Sequence, residues 1–163
     1  MHVAKSIDDA QLSQWMKGAL AIAIEGVGVG ENPFGAGIYR NSGEAICLAY
    51  NQTVSASDPT AHAELLAIKE ACRLLQVCSL QEYILVTTAE PCPRCLSGSI
   101  MAGIQHIVFG ADQAAVADAG YDSLGVSARR FLPQCSKFVT LQGPILRHEC
   151  TALLINHPFR ECD

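Results

Sequence analysis

Apolar residues recur at helical spacing near the start of the chain. Leu12, Met16, Ala19, Leu20 and Ala23 share one stripe behind Asp8-Asp9-Ala10-Gln11, an acidic cap with a glutamine three residues on. The spacing predicts a first helix ending in the glycines at 26, 28 and 30. A Gly-x-Gly-x-Gly run also invites a phosphate-loop reading, but this one follows a helix and has no lysine-serine pair behind it, so it reads as a helix stop. Residues 34–39 and 44–51 are apolar, partly alternating segments joined by Asn41-Ser42-Gly43, the pattern of a hairpin. Asp58-Pro59 couples a capping residue to a proline suited to the first helical position. A second helix is therefore expected to start there and run through Leu65, Ala67, Ala71 and Leu74. Residues 83–88 form a continuous apolar run of the buried-strand type, 93–102 a third helix, 106–110 another strand, 138–141 a short further strand and 145–155 a last helix.

Strands alternating with helices, with no repeat or linker, predict an α/β layered domain with some parallel pairing, and 163 residues suit one domain spanning 1–163. A net charge of -5 gives no broad basic field, so long nucleic acid is not the expected partner and a small or weakly charged substrate is. The adjacent basic pair, Arg129-Arg130, reads as a solvated face. The opening MHVAKSIDDAQL lacks the apolar core of an export signal, and no apolar run approaches a bilayer span; the expected location is the cytoplasm, with no membrane partner. The eight cysteines are irregularly spaced and are expected to be reduced, Cys47, Cys72, Cys78, Cys135, Cys150 and Cys162 acting as small buried hydrophobes.

The remaining two cysteines change the picture. Pro91-Cys92-Pro93-Arg94-Cys95 falls where the buried strand meets the third helix, and His62-Ala63-Glu64 falls in the opening turns of the second. His-x-Glu arises readily by chance, whereas Pro-Cys-x-x-Cys is much rarer and carries the weight. Cys92 and Cys95, three apart, bring both sulfurs to one face of a first helical turn, where partial positive charge favours thiolates. Two thiolates and the His62 imidazole make three ligands, the number that leaves the fourth tetrahedral position of Zn2+ open for water. His2, His106, His148 and His157 have no partner at ligand spacing. Glu64 is then the proton carrier, provided His62 sits at an irregular helix start, because residues two apart on a regular helix point away from each other. The chemistry this implies is attack of water on an amidine-like ring carbon with loss of ammonia.

Together these two motifs resemble those of the cytidine deaminase-like zinc deaminases. Pro33-Phe34-Gly35-Ala36, Asn51, Asp58-Pro59-Thr60-Ala61-His62-Ala63-Glu64, Glu90-Pro91-Cys92-Pro93-Arg94-Cys95 and Ala119-Gly120-Tyr121-Asp122 are most similar to the guanine deaminase branch of that superfamily. The resemblance implies a three-layer α/β/α fold around a five-stranded mixed sheet, a homodimer, and a free nucleobase as substrate, guanine giving xanthine and ammonia. It also implies substrate-binding positions at Phe34, Asn51, Ala63 and Asp122. Asn51 would hydrogen-bond the base, Phe34 would wall the pocket, and Asp122 would lie near the amino or ring N–H edge. Where the branch carries a second acidic residue this chain has Ser123, and its tail lacks an aromatic ending, so cytosine or a triazine such as ammeline stays open as substrate. The tRNA adenosine deaminases share the stretch from Asp58 to Glu64. Phe34 after Pro33, the acidic charge and the lack of a basic glycine-rich segment after the fourth strand speak against them. A non-catalytic zinc-binding interaction domain would have lost the proton carrier or the open ligand position, and this chain keeps both.

Overall fold

The computed structural model describes residues 7–121 and 124–159. The first helix, α1 (Asp9–Gly28), starts as its cap dictates: Asp8 is extended and its carboxylate accepts a 2.8 Å hydrogen bond from the Gln11 N–H. Its stripe of Leu12, Trp15, Met16, Ala19 and Ala23 is buried. The helix ends at the glycine run, where Gly30 takes φ +99° and the N–H groups of Val29 and Glu31 both return to the Gly26 carbonyl. Strands β1 (Gly35–Arg40) and β2 (Ala45–Tyr50) form the expected hairpin, turned at Gly43 with φ +103°. After them come α2 (Ala63–Leu75), β3 (Tyr83–Ala89), α3 (Pro93–Met101), β4 (His106–Ala111), two short helices α4 (Gln113–Asp118) and α5 (Ala128–Phe131), β5 (Thr140–Gln142) and α6 (Arg147–Asn156).

The five strands make one mixed sheet in the order β2-β1-β3-β4-β5. β1 runs antiparallel to both neighbours, while β3, β4 and β5 are parallel. Alternation along the strands sends side chains to opposite faces. Tyr39, Ile84, Val86 and Val108 pack in one core with α1 and α6, and Ile38, Leu85 and Ile107 in a second core with α2 and α3. This is the three-layer α/β/α architecture that the resemblance implies. On α2 the residues facing the sheet are Ala63, Ala67 and Ala71, all without exposed surface, which lets the helix lie close to the strands. α1 lies equally close over the start of β1: a Cβ on Gly35 would collide with the backbone carbonyl oxygen of Ala19, so only glycine fits there.

The register decides where chemistry can gather. Because β1 opposes its neighbours, its first residues lie beside the last ones of β2 and β3: Gly35 pairs with Tyr50, Ala36 with Thr87, and Ala89 with Ala111. The chain entering β1 and leaving β2, β3 and β4 therefore meets at one sheet edge, the edge at which α/β sheets bind ligands.

Three expectations change. The second helix starts at Ala63, not Asp58, because the Asp58 carboxylate accepts from both the N–H (2.8 Å) and hydroxyl (2.6 Å) of Thr60 and caps a turn instead. The last strand starts at Thr140, which leaves Phe138 outside it and 84% exposed. Of the cysteines expected to be buried, Cys150 is, Cys47, Cys72 and Cys135 are half-buried and Cys78 is exposed, while Cys162 lies outside the described residues. No helix among the described residues is long and apolar enough to cross a membrane.

Candidate active site

The late start of α2 resolves the geometry of His62 and Glu64. His62 is the extended residue before the helix (φ -72°, ψ 147°), and Glu64 lies in the first turn, so helical divergence does not separate them. Cys92 holds the same position before α3 (φ -65°, ψ 163°), with Pro93 opening the helix and Cys95 a turn inside. Neither His62 nor Cys92 caps its helix with its side chain. Both side chains turn instead toward each other across the sheet edge.

His62 Nδ1 lies 3.3 Å from Cys95 Sγ and 3.8 Å from Cys92 Sγ, and all three ligand atoms fall within 4.8 Å of one another. Tetrahedral zinc, with bonds of about 2.3 Å to sulfur and about 2.0 Å to nitrogen, needs nitrogen and sulfur about 3.5 Å apart, midway between the two observed separations. The donor chemistry agrees. The hydrogen bond from Cys95, then that with His62, lowers the Cys92 thiol to about 4. The same pairing with Cys92, then burial, pushes Cys95 up. His62 is raised, chiefly by its bond to Cys92. Among the remaining histidines, His106 is committed elsewhere, its Nε2 2.9 Å from Gln142 Oε1.

Glu64 is 6% exposed, and burial, the largest effect on it, raises its carboxyl above the usual range. It lines, together with His62 and Cys92, a cavity of about 350 Å³. Asn51 lines the same cavity with a defined orientation. Its Oδ1 accepts from the Thr53 N–H (3.0 Å) and hydroxyl (2.8 Å), so what Asn51 can offer a ligand is its NH2, a donor. Glu31, buried to 2% exposure, accepts from the N–H groups of Val54 and Ser55 and holds the loop that runs from Asn51 to His62. Phe34 forms a wall, edge-to-face on Tyr121 with ring centroids 4.9 Å apart, and Tyr121 meets Phe159 in the same way at 5.9 Å. The Tyr121 hydroxyl donates to the His157 carbonyl.

Of the residues the sequence singled out, His62, Glu64, Cys92, Cys95, Phe34 and Asn51 come together here. Ala63 lies beside them in the chain, but its side chain is buried in the α2 core and does not line the cavity. Asp122 and Ser123 lie outside the described residues. Sequence reasoning missed Thr53, Glu90, Gln113 and Phe159. Glu90 stood within a quoted motif. Phe159 stands in no periodic pattern, and it corrects the expectation for the tail, which does bring an aromatic ring to the cavity.

Guanine deaminases and tRNA-specific adenosine deaminases are among the proteins this chain is similar to. It is 39% identical over 109 residues to the guanine deaminase of Bacillus subtilis strain 168, covering 66% of this chain and 69% of that one. It is 42% identical over 97 residues to the tRNA-specific adenosine deaminase of Aquifex aeolicus strain VF5, covering 60% of this chain and 64% of that one. The crystal structure of a mutant of NE0047 in complex with 8-azaguanine superposes with a TM-score of 0.81 at 27% identity, over 88% of this chain and 81% of the other. The model of the cytidine and deoxycytidylate deaminase zinc-binding region matches residues 9–111, from the start of α1 to the end of β4, a span that includes His62, Cys92 and Cys95. The chain belongs to that family, and it is a zinc-dependent hydrolytic deaminase.

Proposed function

We propose that the chain, acting as one domain over residues 1–163, deaminates a free nucleobase, guanine giving xanthine and ammonia. In this reading His62, Cys92 and Cys95 hold zinc and Glu64 moves the protons. The observation that carries it is the placing of Glu64, His62 and Cys92 on one small cavity, about 350 Å³, with Cys95 Sγ 3.3 Å from His62 Nδ1 and with Asn51 and the Phe34 ring among the other contributors. That volume is near the lower end of the range for small-molecule sites, about 300–1,000 Å³, and suits a single ring system. The Asn51 NH2 supplies a donor for a ring nitrogen or carbonyl oxygen of the base, and Phe34 and Tyr121 supply an apolar wall. The guanine deaminase relative and the 8-azaguanine bound to the NE0047 mutant support the choice of base.

When bound, zinc supplies Lewis-acid activation of water at neutral pH. The chain's own work is positioning and proton transfer. Glu64 accepts the proton of the attacking water as oxygen bonds to guanine C2, and delivers it to the adjacent ring nitrogen. It then takes the remaining proton of the added hydroxyl and carries it to the exocyclic amine, so that the C–N bond breaks, the C2 carbonyl forms and ammonia leaves. The aromatic walls exclude bulk water from this exchange. The same reading takes the enzyme as a cytoplasmic homodimer.

The Aquifex aeolicus relative favours a second substrate, adenosine in tRNA, against which the net charge of -5 argues. The test is ammonia release by the purified zinc protein from guanine, cytosine, adenine, guanosine, ammeline and a tRNA anticodon stem-loop. Guanine is expected to exceed every other compound in kcat/KM by about tenfold or more, the scale a site achieves by hydrogen-bonding its substrate. Preference for the stem-loop would overturn the reading.

A further inference from the structure

We propose that Glu90 is a positioning residue that sets the shape of the base pocket, by tying the wall that Gln113, Val116, Tyr121 and Val126 supply to the strand end that leads into Cys92 and Cys95. Glu90 follows β3 directly and precedes Cys92 by two positions. Its own N–H donates to the Ala111 carbonyl (2.7 Å), which fixes its backbone against the end of β4. Its carboxylate then accepts two backbone hydrogen bonds from sites far apart in the chain: Oε2 from the Gln113 N–H at 2.9 Å and Oε1 from the Ala128 N–H at 2.6 Å.

Gln113 and Ala128 are the first residues of α4 and α5. Each of these helices already has its own cap. Asp112 accepts from the Ala115 N–H at 2.9 Å, and Ser127 from the Arg130 N–H at 3.3 Å. Glu90 is thus not an ordinary helix cap but an added acceptor, and one carboxylate clamps both ends of a single segment. That segment supplies Gln113, Val116, Tyr121 and Val126 to the cavity. Both bonds are charge-assisted, the stronger class of hydrogen bond. The segment's helices are short, six and four residues, so the two bonds add fixed points at their starts to a wall that the packing of Val116 and Tyr121 also holds. The metal ligands and Glu64 sit on α2, α3 and their leading residues, which Glu90 does not hold through its side chain. Losing the carboxylate should therefore loosen the base's surroundings while leaving the reacting groups in place.

The inference rests on the reading of this cavity as the base site, and its test separates the two. Glu90→Ala and the isosteric Glu90→Gln, which keeps one acceptor oxygen, are compared with the wild-type zinc protein in zinc content, amide hydrogen exchange, and kcat and KM on the best base of the panel. In Glu90→Ala, exchange at Gln113 and Ala128 is expected to speed up by about tenfold or more, with β3 amides unchanged. KM should rise by about tenfold or more, kcat should change by less than about threefold, and zinc should remain at the wild-type ratio. Glu90→Gln should fall between the two proteins in KM. Unchanged exchange overturns the clamp. Faster exchange with an unchanged KM overturns its role in the pocket, and zinc loss would show that Glu90 acts through the metal instead. Wild-type protein that turns over no base sinks the base reading, while exchange at the two amides still decides whether Glu90 holds the wall.

Discussion

Glu64→Ala is expected to bind zinc as the wild-type protein does and to release ammonia about 10³–10⁴ times more slowly, at the upper end of what a positioned general acid–base group contributes. The expectation follows from a division of labour visible in the geometry. The three ligand atoms lie at separations that fit a metal without Glu64, which stands two residues beyond His62 in the first turn of α2. Truncation thus removes the proton carrier but no ligand. Glu64 is almost fully buried, so the alanine variant also opens a small void; Glu64→Gln keeps the shape and still cannot carry the proton, and both variants should be equally inactive. The measurements are metal content by elemental analysis and ammonia release on one preparation. Activity within tenfold of wild type would sink the mechanism, and loss of zinc would recast Glu64 as a ligand.

Removal of zinc should have the other large effect, on activity and stability together. Bound zinc would tie His62 to Cys92 and Cys95, residues at the starts of two different helices about one sheet edge, and folding free energy is gained whenever a ligand binds only the native state. At free zinc about a thousandfold above its Kd the gain is about 4 kcal/mol, which for a chain of this size corresponds to a Tm shift of about 10 °C. Chelation should abolish ammonia release and lower Tm by that amount, and restored zinc should reverse both. Cys95→Ser, which removes a ligand with no exposed surface, should resemble the chelated protein and be indifferent to chelator. Turnover that survives complete chelation would be incompatible with the proposed chemistry.

The parts of this site legible in the sequence are those whose spacing is local. Cys92 and Cys95 announce themselves because three residues span one turn, and the alternation of apolar runs places them where a strand becomes a helix. Asp58-Pro59 misled for an equally local reason. Both residues suit a helix start, but Thr60 gave the Asp58 carboxylate a nearer pair of donors and the helix was deferred to Ala63. Gln113–Asp118 and Ala128–Phe131 are too short to show a period at all. Phe159 and Glu90 are recruited by tertiary contacts across many residues, through ring packing with Tyr121 and through two remote backbone amides. Nothing in a neighbouring window of sequence encodes such partners.

The chain's single tryptophan occupies the end of the molecule remote from all this. Trp15 is 2% exposed, stacks at 5.1 Å on Tyr39 and donates from its indole nitrogen to the Gly43 carbonyl at the hairpin turn, the far end of β1 from Phe34. A six-residue strand puts it about 20 Å from the cavity. Its fluorescence should be blue-shifted and insensitive to an arriving base, yet should change fully when the sheet comes apart. The protein thus carries an intrinsic optical probe of its scaffold alone, one that tells an enzyme emptied of metal from an enzyme that has unfolded.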